Sequence, residues 1–249
     1  MESLFKYVQL LGDQSMILGH RLSELCGHGP SLETDIALTN ISLDLFGEVR
    51  SYFQYAAQLK ADGSTEDDIA FLRYDREYLS PVLVEQPNTD FAHVIARQCL
   101  FDHYHTLLLE QLKLSKDETI SAIAHKSEKE ARYHLRFSSD WLKRLGDGTE
   151  ESHRRAQAAL DHLFPFVQEL WTPVEVELEM HSEGFGADLE KIRSEMEPRL
   201  LQVVKESTLS IPEVPPRIAR GKTGIHSEYM GAILSDLQYM QRAYPEMQW

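Results

Sequence analysis

Four acidic residues stand inside four successive helical patterns of the sequence, and this arrangement limits the fold more than any other feature. Asp13, Asp102 and Glu130 interrupt rows of apolar residues that recur every three or four positions, as on the buried face of a helix. Asp44 lies in a row of smaller residues, where a neighbouring helix could approach closely. Because an unpaired buried charge is costly, each acid needs a partner. One such acid alone is usually an exposed or ion-paired position, but one on each of four helices indicates a bundle with a polar interior.

The same periodicity predicts an all-α chain with almost no strand-like alternation. The predicted helices are bounded by capping residues, glycine or proline, and they cover residues 3–26, 32–61, 90–112, 115–146, 150–170, 188–209 and 227–244. The clearest start signal is the pair Ser115 and Glu118, which has the spacing of a capping box. Gly12, Gly19 and Gly47 lie inside helical patterns, where we expect them to permit close helix packing.

Two irregular segments connect these helices. Residues 64–88 contain Pro81 and Pro87 and predict the long crossover of the bundle. Residues 211–224, which include Pro216, are rich in proline and glycine and predict a loop. We therefore expect one domain over residues 1–249, with a four-helix bundle over about 3–146 and additional C-terminal helices over about 150–249.

The composition excludes several classes of partner. The 249 residues carry 25 Lys and Arg against 40 Asp and Glu, a formal charge of -15, so nucleic acids and anionic membranes would be repelled. No apolar run approaches the length of roughly 20 residues that a membrane span needs. Two cysteines, Cys26 and Cys99, suit a reducing compartment better than a disulfide framework. We expect a soluble, cytoplasmic protein that binds neither nucleic acid nor membrane.

The four acids are spaced like the ligands of a ferritin-like di-iron bundle, which takes a glutamate from each of two helices and Glu-x-x-His from each of the other two. Here residues 44–47 read Asp-Leu-Phe-Gly and residues 130–133 read Glu-Ala-Arg-Tyr. Glycine supplies no side-chain ligand, and a phenol with a pKa of about 10 is a poorer iron ligand than imidazole. The pattern predicts no bound metal, with the degenerate ligand positions at Asp13, Asp44, Gly47, Asp102, Glu130 and Tyr133.

Alternatives to a metal-free interior stay open. An atypical di-iron or di-manganese oxidase could use two acids and two histidines at helical spacing, namely Asp102, His105, Glu130 and His134. Iron storage would need a cage and a working oxidation site, and the sequence indicates neither. We favour an ion-paired or hydrogen-bonded polar core in which Lys126 or Arg132 neutralises the acids.

One basic island stands out in the acidic chain. Arg217, Arg220 and Lys222 fall in the proline- and glycine-bounded segment 211–224. Such a cluster could contact an acidic partner surface or the phosphates of a ligand. The plain alternative is a solvated loop.

Several stretches together resemble the C subunits of bacterial phenylacetyl-CoA ring 1,2-epoxidases. They occur in order and at compatible spacing, at residues 26–28, 35–45, 84–88, 129–136 and from 237 to the terminal Trp249. The resemblance covers nearly the whole chain. It implies a ferritin-like four-helix bundle with additional C-terminal helices and a place in aerobic phenylacetate degradation.

The resemblance also implies a division of labour among subunits. The di-iron centre and the substrate site belong to a homologous catalytic A subunit, a B subunit bridges the assembly, and a separate reductase delivers electrons from NADPH. The C subunit is described as structural, so the chain would belong to an oxygen-dependent epoxidase without being catalytic by itself. It would hold no cofactor of its own.

Overall fold

The fold is described by a computed structural model that covers residues 1–213, 215, 217–245 and 247. Pro216 of the predicted loop and the terminal Trp249 lie outside these described residues. The described part of the chain is all-α, and its one β feature is an isolated antiparallel bridge between Arg220 and Ile225. The expected all-α fold is confirmed.

The helices follow the predicted order. In chain sequence they are α1 (Glu2–Ser23), α2 (Leu32–Lys60), α3 (Glu66–Phe71), α4 (Val82–Glu85), α5 (Phe91–Leu112), α6 (Glu118–Gly146), α7 (Glu150–Leu163), α8 (Val167–Trp171), α9 (Glu175–Glu183), α10 (Leu189–Glu206) and α11 (Met230–Ala243). The crossover between α2 and α5 holds two short helices. None of the described helices is both long and apolar enough to cross a bilayer.

The four long helices α1, α2, α5 and α6 form the bundle, and two of them are buried on every side. In α1 all residues from 7 to 19 are buried, and in α5 all residues from 92 to 109. In contrast, α2 and α6 bury one stripe each, and the opposite side of α6 is mainly polar, as in an amphipathic helix. The two central helices can be fully buried because the C-terminal half covers them. Helices α9 and α11 contact α1, and α7 and α10 contact α5.

Close packing of α1 against α2 depends on two glycines. A methyl group at Gly12 would overlap the Phe53 ring, and one at Gly19 would lie 3.4 Å from the Leu45 Cβ. These two predictions are confirmed. The prediction for Gly47 is wrong, because Gly47 lies on the exposed face of α2 and nothing stands within 4 Å of a Cβ built there.

The start of α6 differs from the predicted capping box. Asp117 is the N-cap, and its side chain accepts a hydrogen bond of 2.9 Å from the Ile120 amide. Ser115 instead donates to the carbonyl of Phe185, 2.8 Å away, and so ties this turn to the end of α9. Aspartate caps a helix about as well as serine, so the serine hydroxyl is free for this tertiary contact.

Candidate functional site

Glu48 on α2 is the carboxylate at the middle of the bundle. It is buried, and its Oε1 accepts hydrogen bonds from Ser15 Oγ of α1 (2.9 Å) and His105 Nε2 of α5 (3.0 Å). Burial opposes the charge on Glu48, but the charge and hydrogen bond of His105 outweigh it and lower the pKa of Glu48. The pKa of His105 is raised by Glu48 despite burial. The two side chains therefore form a buried ion pair.

Asp102 on α5 lies beside this pair. Its two oxygens accept hydrogen bonds of 2.7 Å from Gln98 Nε2 and Ser138 Oγ. Burial raises the pKa of Asp102 to about 6, although the nearby His134 and His105 act in the opposite direction. Asp102 is thus a buried carboxyl whose charge is disfavoured by its surroundings.

His134, rather than Tyr133, is the residue of α6 that reaches the interior. His134 is 2% exposed and its Nε2 lies 3.0 Å from Oδ2 of Asp44. Tyr133 is 41% exposed and packs against Phe137 on the outer side. Tyr133 therefore does not occupy an imidazole position, and that interpretation of the sequence is wrong. Helices turn about 100° per residue, so a shift of one position exchanges an inner for an outer side chain.

Two of the predicted acids have other surroundings than expected. Asp13 is buried on α1 but faces the crossover, where it pairs with Arg73 and accepts a hydrogen bond of 2.8 Å from the Leu79 amide. Glu130 is only partly buried and makes no hydrogen bond or ion pair with the described residues. Burial and the neighbouring Asp44 raise the pKa of Glu130.

The predicted neutralising cations do not reach the interior. Arg132 lies on the surface and pairs with Glu128 at 2.6 Å and Glu110 at 3.5 Å. Lys126 is exposed and forms no ion pair within the part of the chain that the structure describes. The prediction that Arg132 neutralises the interior acids is therefore wrong. His105 and His134 contact the interior acids instead.

The donor set does not fit a di-iron site. Each imidazole turns its Nε2 to a carboxylate, which forms the pairs Glu48–His105 and Asp44–His134. Among residues 1–213, 215, 217–245 and 247, no group of three or more His, Cys, Asp or Glu side chains is placed to hold a metal ion. The polar centre, defined as Asp44, Glu48, Asp102, His105 and His134, thus contains two acid–imidazole pairs and the carboxyl of Asp102.

Glu48 is the residue of this centre that the sequence analysis missed. It stands four residues after Asp44 and in the apolar row that contains Leu45 and Tyr52. The spacing of three and four residues would have revealed it, because the buried positions of that row recur at 41, 45, 48 and 52.

The predicted basic cluster is divided in two. Lys222 is buried, with its Nζ 2.7 Å from Glu177 Oε2 and its amide 3.2 Å from Glu169 Oε1. Arg217 and Arg220 are exposed and make no ion pair with other described residues. Lys222 is therefore wrong as an external anion contact, because its charge is already used inside the fold.

The fold and its polar centre define an all-α, ferritin-like helix bundle. The chain belongs to the phenylacetic acid catabolic protein family, whose sequence model matches residues 1–249. It is 43% identical over 249 residues, and over 100% of both chains, to the Escherichia coli (strain K12) protein named as the C subunit of 1,2-phenylacetyl-CoA epoxidase.

Proposed function

We propose that this chain is a non-catalytic, structural subunit of a phenylacetyl-CoA 1,2-epoxidase in aerobic phenylacetate degradation. It would act in the cytoplasm, pair with a catalytic A subunit that carries the di-iron centre, and be bridged by a B subunit, while a reductase supplies electrons. The name and full-length similarity of the E. coli relative support its place in such a complex.

The observation that carries the non-catalytic function is the mutual pairing of acids and imidazoles. Glu48 and Asp44 each contact the Nε2 of a histidine, so these acids and imidazoles are turned toward one another. Oxygen activation in a ferritin-like bundle needs imidazole and carboxylate ligands around two metal ions. The polar centre offers acid–imidazole contacts in their place, which join α2 to α5 and to α6.

The outer face of α2 has the character of a surface that binds a partner subunit. Three apolar residues lie on the same side of α2 and are largely exposed: Leu32 (72%), Ile36 (52%) and Leu43 (61%). Contiguous exposed apolar residues commonly mark a protein interface. An obligate contact of this kind would bury about 2,000 Å² or more. The family's catalytic subunit is the partner that we propose for this face.

Anaerobic reconstitution with ferrous iron tests the absence of a metal centre. The purified chain should retain well below one iron per chain after desalting and show no absorption band that depends on oxygen. Binding of about two irons per chain with such a band would favour the alternative, a di-metal oxidase with its own site.

Expression of the catalytic subunit with and without this chain tests the structural function. We expect the catalytic subunit alone to be less soluble and less active, because its interface would be uncovered. Equal solubility, iron content and activity in the absence of this chain would contradict a structural function. A Leu43→Asp substitution should weaken the complex, whereas Asp140→Asn, on the exposed side of α6, serves as a control.

A further inference from the structure

Two neighbouring clefts form one groove along α7. The first has a volume of about 400 Å³ and lies between the start of α5 and α7. The second, of about 320 Å³, lies between the end of α7 and residues 217–229. His162 and Tyr229 line both clefts, so we treat them as one feature, the His162 groove.

The His162 groove is positive in a chain whose formal charge is -15. Its lining holds four arginines against two carboxylates, namely Arg154, Arg155, Arg217 and Arg220 against Asp90 and Glu228. Another cleft, of about 760 Å³ beside the start of α1, differs in this respect, because five basic and five acidic residues line it. Only a local excess of positive charge attracts anions to such a surface.

The four arginines are not equally available. Arg154 and Arg155 are paired with Glu151, at 2.8 and 2.6 Å. In contrast, Arg217 and Arg220 have no carboxylate partner within the described residues. Two guanidinium groups are therefore free to bind an anion.

Both free arginines stand on an anchored backbone. The Arg217 amide donates to the carbonyl of Pro165 at 2.9 Å, and the Arg217 guanidinium lies 5.0 Å from the centre of the Phe166 ring. The carbonyl of Arg220 accepts hydrogen bonds from the amides of Thr223 (2.9 Å) and Ile225 (3.1 Å). Because these positions are fixed before a ligand arrives, binding costs less ordering entropy.

A buried positive charge lies behind the groove. Arg97 is fully buried and donates to the carbonyl of Gln86 and to Asn88 Oδ1, but it has no carboxylate partner among the described residues. Burial and the charge of Arg97 lower the pKa of His93 to about 4, and His93 is joined to His162 by a hydrogen bond of 2.9 Å. The charge of Glu24 acts on Arg97, but the charge of the nearby Arg21 opposes it, and an anion in the groove would reduce the remaining positive excess.

We propose that the His162 groove binds a small anion that carries phosphate groups, held chiefly by Arg217 and Arg220. Arginine binds phosphate through paired N–H donors, which a point charge such as lysine cannot match. The combined volume of the two clefts falls in the range of small-ligand sites. The site does not depend on the function proposed above, because it concerns binding by this chain alone.

Calorimetric titration of inorganic pyrophosphate into the full-length chain at low salt tests the proposal. We expect saturable binding with a Kd of about 1 mM or lower. Arg217→Glu together with Arg220→Glu should weaken binding about tenfold or more, and added salt should weaken binding to the unchanged chain. Absence of saturable binding up to about 10 mM would overturn the proposal.

A charge-matched control separates the groove from overall charge. Arg136→Glu together with Arg144→Glu makes the same change on α6, where each arginine also lies over an aromatic ring. This variant should keep pyrophosphate affinity within about twofold. An equal loss in both double variants would overturn the proposal. If charge reversal at 217 and 220 disturbs folding, Arg217→Gln with Arg220→Gln gives the same comparison without a new negative charge.

Competition identifies the source of the phosphate. Coenzyme A, which carries several phosphates, should displace pyrophosphate if the groove holds the tail of a coenzyme A thioester. If it does not compete, the ligand is a free oligophosphate. Either result supports the site, provided that Arg217→Glu with Arg220→Glu weakens the binding measured about tenfold or more.

Discussion

This molecule has two buried polar clusters that differ in how completely their atoms are hydrogen-bonded. The first is the polar centre between α2, α5 and α6. The second, the C-terminal network, joins Glu85, Glu169, Glu177, Lys222 and His226 beneath the segment that leads to α11. In the C-terminal network each glutamate accepts at least two hydrogen bonds, and Glu85 accepts three.

The polar centre leaves more atoms without a partner. Nδ1 of His105 and Nδ1 of His134 are buried and make no hydrogen bond, and the same holds for the nearby Tyr52 hydroxyl, Gln98 Oε1 and Thr106 Oγ1. Buried polar groups selected for stability are normally satisfied. The buried carboxylates of the C-terminal network are therefore fully hydrogen-bonded, whereas the polar centre keeps buried polar atoms without a partner.

Loss of Lys222 should have the largest effect on stability. Lys222→Ala leaves Glu177 buried without its cation, which typically costs about 3–5 kcal/mol. Urea denaturation followed by circular dichroism measures the change. Lys205→Ala, on the exposed side of α10, is the control and should cost about 0.5 kcal/mol or less. A loss below about 1 kcal/mol for Lys222→Ala would remove the distinction between the two interiors.

Glu48→Ala should destabilise the chain by less, about 2 kcal/mol. The substitution leaves Ser15 and His105 without their acceptor, but His105 can release its proton and become neutral, so no uncompensated charge stays buried. The same denaturation experiment applies. Glu197→Ala, which breaks a surface pair with Arg193, is the matched control. A loss equal to that of Lys222→Ala would mean that both interiors are equally optimised.

The buried carboxyl of Asp102 should make stability depend on pH. Because burial raises its folded pKa to about 6, above the usual 3.8, the folded state holds its proton more tightly than the unfolded state. Its contribution to stability is therefore present below about pH 4 and is lost as pH rises through about 6. Asp102→Asn should remove this dependence. The unfolding free energy of the variant minus that of the unchanged chain should therefore increase by about 2 kcal/mol between pH 4 and pH 7. Parallel pH profiles for the two proteins would contradict this assignment.

Glu130→Ala should have the smallest effect, within about 0.5 kcal/mol at neutral pH. Glu130 makes no hydrogen bond with the described residues, and its raised pKa indicates that its surroundings oppose the charge. Thermal melts of Glu130→Ala and Glu48→Ala side by side sharpen the comparison, because both remove a glutamate from the same region. A loss as large as that of Glu48→Ala would place Glu130 within the polar centre.

Helical periodicity predicted the four long helices and the burial of Asp13 and Asp102, because each depends on local spacing. It did not fix the rotation of a helix to within one residue, so Gly47 and Tyr133 were assigned to positions that belong to Glu48 and His134. The burial of Lys222 could not be predicted, since its partner Glu177 lies 45 residues away in sequence. Pairings across such separations depend on the whole fold.

The full burial of α1 and α5 has a consequence for synthesis on the ribosome. Both helices emerge early, but the helices that cover their outer sides, from α7 to α11, lie after residue 146. At about 5–20 residues per second, roughly 10–40 s pass before the chain is long enough to cover α1. During that interval an apolar helix surface is open to other chains. Aggregation during rapid expression should therefore decrease when translation is accompanied by a chaperone that binds apolar segments.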